Sequence, residues 1–145
     1  MQAPRLRFGF TLLELLVVIT IIGLLASVGL ASYGRAQARA RDARRQSDLT
    51  TMRNSLEIYY AENNAYVSTG DVWQDVSDAL VELDPTYIRG LPSDPGGSGS
   101  VSYRYRSISN AQGYCIAANL ETAETTQSSC TVTLESGYDY GVGNP

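Results

Sequence analysis

GFTLLELLVVITIIGLLASVGLASYG, residues 9–34, is the stretch on which the reading of this chain turns. Residues 15–34 carry no charge over 20 positions, and 20 helical residues rise about 30 Å, the thickness of a bilayer's hydrocarbon core. One residue sits badly beside such a run. Glu14 sets a carboxylate against it at a cost of about 3 kcal/mol on insertion scales. It needs a cationic partner, or a place near the headgroups where it reaches water. Cutting the chain after Gly9 would create the partner, because the new α-amino group on Phe10 lies one helical turn from Glu14. The amine of one copy could pair with Glu14 of another and neutralise both charges in apolar surroundings. The preceding MQAPRLRFG is short and basic through Arg5 and Arg7, as in a secretory signal, an uncut signal anchor or a processed leader.

Gly9-Phe10-Thr11-Leu12-Leu13-Glu14-Leu15-Leu16-Val17-Val18-Ile19, continuing through Gly23, Leu24, Leu25 and Ala26, resembles the prepilin cleavage and methylation signature shared by type IV pilins, competence pilins and type II secretion pseudopilins. The resemblance implies that a prepilin peptidase cuts between Gly9 and Phe10 and methylates the Phe10 amine. It implies that Phe10 and Glu14 act in assembly. The precursor is then expected in the cytoplasmic membrane, single-pass with its globular part outside. An inner-membrane assembly platform would build it, with other pilin subunits, into a homo-oligomeric filament at the surface or across the periplasm. Two positions depart from the family pattern: Phe8 stands where Lys or Arg is usual, and Ala31 where many members have a helix-kinking proline. Two other readings stay open. One is a secreted soluble protein cut near Ala31, after the small residues Gly29 and Ala31; the other is a single-pass surface protein that is never cut. Glu14 counts against both. Pilus, competence pilus and secretion pseudopilus are not separated by the sequence, nor are major and minor subunits.

Gly23, Ser27 and Ala31 fall four apart and share a helix face, where small residues allow close helix approach; a lipid-facing helix with incidental small residues is the alternative. Beyond Gly34 no proline occurs until Pro85, and Ala36, Ala38, Ala40 and Ala43 favour continued helix. Leu49, Met52, Leu56 and Tyr59 or Tyr60 recur at three- and four-residue steps, an apolar stripe for a globular domain to cover. Asn63-Asn64 is expected to end the helix. Arg35, Arg39, Arg41, Arg44 and Arg45 follow the apolar run, against Arg5 and Arg7 before it. The positive-inside rule alone would place the later residues in the cytoplasm. The signature and the two cysteines argue for the opposite orientation, so these arginines are expected either to pair with acids of neighbouring subunits or to form a solvated face.

The expected organisation is a cleaved leader at 1–9, a membrane or filament-core segment at 10–34, an amphipathic half-helix at 35–62 and a β-rich head at 63–145. The fold class is α+β, with a long N-terminal helix on a small antiparallel sheet. Within the head, residues 72–83 read as a short helix and residues 91–97 as turns. Residues 101–108, 114–120 and 130–135 read as three strands of a meander covering the 49–60 stripe. Cys115 and Cys130 are expected to form a disulfide outside the cytoplasm, two free thiols being the alternative. The turn at Leu91-Pro92-Ser93-Asp94-Pro95 before a Tyr-rich strand is similar to the globular part of major pseudopilins. That resemblance brings calcium into view, with Glu135 and Asp139 as oxygen donors, although their spacing matches no definite calcium motif and an ordinary acidic tail is the better reading. No other cofactor is expected.

All eleven basic residues are arginine, there is no histidine, and the net charge is −4. Loss of residues 1–9 would leave nine arginines against fifteen acids, a net charge of −6. That balance speaks against direct nucleic-acid binding. The lack of histidine, of a phosphate-binding glycine loop and of zinc spacing speaks against an enzyme. Asp71, Asp75, Asp78 and Glu82 read as a solvated acidic face.

Overall fold

The computed structural model describes residues 10–96, 101–123 and 125–144. The leader, Gly9 included, lies outside the described residues, as do the side chains at 28–31 and with them that of Ala31. The chain forms two units divided between Gln37 and Ala38.

In the first unit the helix α1 (Leu12–Asn63) begins. Thr11 caps it, its hydroxyl accepting the Glu14 N–H at 3.2 Å. The apolar sequence after it forms one uninterrupted helical run because it lacks proline and its polar groups are satisfied locally. The Thr20 hydroxyl donates to the Val17 carbonyl and that of Ser27 to the Leu24 carbonyl, both at 2.8 Å.

The second unit holds the core. The later part of α1 sets Leu49, Met52 and Leu56 fully out of solvent against Leu80, Leu83, Tyr103, Tyr105, Tyr114 and Ile116, as the three- and four-residue spacing predicts. Each such aliphatic burial is worth about 1.5–3 kcal/mol. The helix stops at Asn63, and Asn64 takes φ 56° while its N–H bonds the Tyr60 carbonyl at 2.8 Å. Asparagine tolerates this left-handed conformation better than most residues.

The chain then runs through β1 (Gln74–Asp75), α2 (Val76–Ala79), a 3-10 turn (Val81–Leu83), β2 (Arg104–Ile108), β3 (Gly113–Ala118), β4 (Gln127–Ser128) and β5 (Tyr140–Gly143). The sheet order is β1-β2-β3-β5-β4; every pairing is antiparallel except β4 with β5. Tyr105, Ile116 and Val142 lie in register across the three central strands and face the helix stripe. On the other face Arg104, Ala117 and Gly141 form one row and Arg106, Cys115 and Gly143 the next.

Two expectations are corrected. The sheet is not a three-strand meander, since residues 130–135 form no strand. This segment crosses the outward face of the sheet, tied to β3 by the Cys115–Cys130 disulfide. There is room for it because β5 carries glycine beneath it: a Cβ at Gly141 would come within 2.6 Å of Leu134 Cδ2, and one at Gly143 within 3.2 Å of Cys130 Cα. Residues 72–83 are not one helix either. Gln74 and Asp75 pair with Tyr105 and Arg104, and Val76 N–H bonds the Tyr103 carbonyl at 3.0 Å. Backbone pairing to β2 takes the start of the segment and leaves only short helical turns after it.

Candidate assembly surface

In the first unit, every large apolar side chain in residues 10–25 is exposed, from Leu12 at 88% to Val17 at 43%. An apolar surface this continuous is covered by lipid or by other helices when it functions. Glu14 is exposed on the same helix, four residues from Phe10. Gly23 is open, with nothing within 4 Å of the position its Cβ would take, and Ser27 is exposed. Among the described residues of this unit nothing covers the face that Gly23 and Ser27 share.

In the second unit the structure gathers a charged cluster that reading the residues one by one had missed. Arg45 and Asp42 are buried, at 4% and 5% exposure. The Arg45 guanidinium bonds Asp42 at 2.7 Å, Asp94 at 2.6 and 3.0 Å, and Glu121 at 2.9 Å. Arg41 adds a bond to Glu121 at 2.7 Å. Asp42 also accepts the backbone N–H groups of Glu121 and Thr122, each at 2.9 Å, and the Thr122 hydroxyl at 2.6 Å. One turn of α1 is thereby bound to the turn holding Asp94 and to the corner after β3. The Arg41 hydrogen bond, with help from Arg45, holds the Glu121 carboxyl down at about 2. Burial pushes Asp42 up, but its bonds from Thr122, Glu121 and Arg45 outweigh this and hold it below the usual range. Arg45 is raised chiefly by Asp94.

Of the five arginines expected either to pair with neighbouring subunits or to form a solvated face, Arg41 and Arg45 do neither, since the acids they bind lie in their own chain. A signal for this was present. Asp42 and Arg45 continue the 49–52–56 stripe backwards at three- and four-residue steps, and charges on a buried stripe require partners. Arg35, Arg39 and Arg44 remain exposed.

Cys115 and Cys130 form a disulfide closing a 15-residue separation. Glu135 bonds Arg104 at 2.8 and 3.3 Å, and Arg104 also reaches Asp75 at 3.3 Å and the Trp73 carbonyl at 2.9 Å. Asp139 accepts the Leu120 N–H at 2.8 Å. Glu135 is thus ion-paired to β2, and the Asp139 carboxylate ties the start of β5 to the corner after β3. Among the described residues no three His, Cys, Asp or Glu side chains gather where they could hold a metal ion. The series Asp71, Asp75, Asp78 and Glu82 is not uniformly solvated, since Asp75 also accepts from Ser102 and Glu82 from the Tyr59 hydroxyl at 3.3 Å.

Residues 4–30 match the prokaryotic N-terminal methylation motif family. The chain is 35% identical over 105 residues to the type II secretion system core protein G of Aeromonas hydrophila, covering 65% of this chain and 71% of that one. With the core protein G of Escherichia coli K12 the identity is 34% over 106 residues, or 68% and 72% of the two chains. The type IV major pilin protein PilA of Myxococcus xanthus is 33% identical over 63 residues, 43% of this chain but 28% of the pilin. No solved structure matches the chain significantly.

Proposed function

The chain belongs to the type IV pilin and type II secretion pseudopilin family, and on that premise we propose that it builds a type II secretion pseudopilus. Members of this family are structural filament subunits, not enzymes, and the assignment to the pseudopilus rests on one observation. The likeness to core protein G extends over more than two thirds of those relatives, whereas the likeness to the pilin covers 28% of it.

The precursor would sit in the cytoplasmic membrane through residues 10–34 with the head outside, leader 1–9 inside, and 35–62 joining the span to the head at 63–145. Prepilin peptidase would cut between Gly9 and Phe10 and methylate the new amine. Assembly then exchanges lipid for other helices around the exposed side chains of residues 10–25. The hydroxyls of Thr20 and Ser27, bonded within their own helix, add no desolvation cost to that exchange. Glu14 of one subunit meets the Phe10 amine of a neighbour, which fixes axial register because only that pairing neutralises both charges. Gly23, Ser27 and Ala31 give the face of closest approach.

N-terminal sequencing and intact mass of the protein from its native membrane test processing: a chain beginning at Phe10 with one added methyl is expected. Glu14→Ala is expected to be cut and inserted yet to assemble poorly. Normal filaments from that variant would defeat the pairing mechanism. Deletion of the gene is expected to stop export of folded proteins to the medium. Loss of surface fibres with intact export would make the protein a pilin instead.

A further inference from the structure

Residues 35–47 contain five arginines and a single acid, Asp42. That acid is buried with Arg45, and Arg41 and Arg45 are committed to Glu121 and Asp94. Arg35, Arg39 and Arg44 are exposed and make no ion pair or hydrogen bond with any described group. The free charge of this stretch is therefore wholly positive, in a chain whose net charge is −4. The three follow Gly34, where the uncharged run ends, by one, five and ten residues.

Their directions say what they suit. Arg39 and Arg44, five residues apart on one helix, point about 140° away from each other. A neighbouring helix or head meets one side of α1 and could serve one of them. A headgroup layer surrounds a helix that enters it and can be met from all sides. We propose that Arg35, Arg39 and Arg44 form a collar that binds anionic phospholipid headgroups on the side of the membrane bearing the head and holds the precursor there before assembly. The proposal rests on the reading of residues 10–34 as membrane-inserted.

The chemistry suits arginine. A guanidinium grips two oxygens of a phosphodiester at once and stays charged at any physiological pH. Its methylene stem can lie along the apolar boundary while the charge sits among phosphates. Arg35, first after the span, makes direct contact. Arg44, the farthest along the chain, acts through the surface field, which decays over about 8 Å at physiological salt. Each basic residue near an anionic surface favours it about fivefold, so the three together give a preference approaching about 100-fold at low salt. Assembly must break these contacts, so the collar resists extraction in proportion to the anionic lipid present.

The full chain in mild detergent, offered equal amounts of phosphatidylglycerol and phosphatidylcholine, is examined by native mass spectrometry for retained lipid. Phosphatidylglycerol is expected to be retained at least about tenfold over phosphatidylcholine, less so as salt rises. The preference should fall to near unity in the Arg35→Gln/Arg39→Gln/Arg44→Gln variant. It should persist in Arg89→Gln, which changes an exposed arginine of the head. Melting of the head serves as the folding control, since Arg39 and Arg44 make no ion pair or hydrogen bond with any described group. No lipid preference in the parent, or one that survives the triple variant, overturns the proposal. A triple variant that keeps its lipid preference but forms no filaments does so too, and would assign the arginines to acids of a neighbouring subunit. A parent chain that carbonate extracts from reconstituted vesicles would overturn the membrane reading beneath it.

Discussion

Replacing Arg45 by methionine removes the one cation that touches Asp42, Asp94 and Glu121 together. The stem volume is roughly kept, so the loss is electrostatic. The side chains of Asp42 and Asp94 are only 6% and 4% exposed, and breaking a buried pair by removing one partner costs about 3–5 kcal/mol. At about 2.1 cal/mol/K per residue, a head of roughly 100 residues has an unfolding entropy near 0.2 kcal/mol/K, so a loss of about 4 kcal/mol lowers its melting temperature by about 15–20 °C. The measurement is a thermal scan of the full chain in detergent, followed by near-ultraviolet circular dichroism of the buried tyrosines. The pH dependence supplies a second arm. Glu121, held at about 2, and Asp42, held below its usual range, are carboxyls with depressed folded pKa values. Their stabilisation is present above the unfolded values near 4 and is lost as pH falls toward 2. In the variant these carboxylates repel one another, and protonation relieves them. The gap between variant and parent should therefore narrow from pH 7 to pH 3. A shift of less than about 3 °C at pH 7, or a gap that does not change with pH, would refute the reasoning.

On the alkaline side, burial is the main cause that pushes Tyr66 and Tyr138 up to about 12 and Tyr103, Tyr105 and Tyr114 higher still. Raised values stabilise fully below the unfolded pKa near 10, and that stability is lost progressively as pH rises from there through the folded values; stability from urea titrations should hold to pH 9 and then fall, by about 1 kcal/mol per pH unit for each fully buried tyrosine, and an unchanged urea midpoint at pH 11 would contradict this. Cys130→Ser should cost about 3 kcal/mol for the 15-residue loop, seen as a lower urea midpoint, and reduction of the parent should add two hydrogens to its intact mass. Gly141→Ala sets a Cβ within 2.6 Å of Leu134 and 2.8 Å of Ser128 and should cost about 1–3 kcal/mol, whereas Gly23→Ala, with open space around it, should leave head stability unchanged.

The helix and its buried stripe were legible because periodicity and burial have the same cause. Leu49, Met52 and Leu56 are inside because their spacing puts them on one face, and Asn63-Asn64 ends the helix as asparagines there suggest. The sheet was legible only where strands are long enough to alternate, as in β2 and β3. Two-residue strands such as β1 and β4 leave no pattern. Val132 and Leu134 alternate like a strand, yet they cross the sheet, while the true final strand reads Tyr-Gly-Val-Gly and resembles a tail. Its glycines are there because another segment lies on them, a relation between distant residues that no local window contains. The buried charges were hidden for a similar reason. Arg45 lies 49 residues from Asp94 and 76 from Glu121, and only the fold brings them together.

The position of β5 has a consequence for when the head can form. Among the described residues it is the last strand in sequence, yet it lies between β3 and β4, and β4 pairs with no other described strand. The side of the sheet beyond β3 therefore has no template until residues 140–143 have left the ribosome. In an exported head it has none until those residues have also crossed the membrane. A chain that has not yet delivered residues 140–143 lacks the strand that bridges β3 to β4, so this side of the sheet closes only when they arrive.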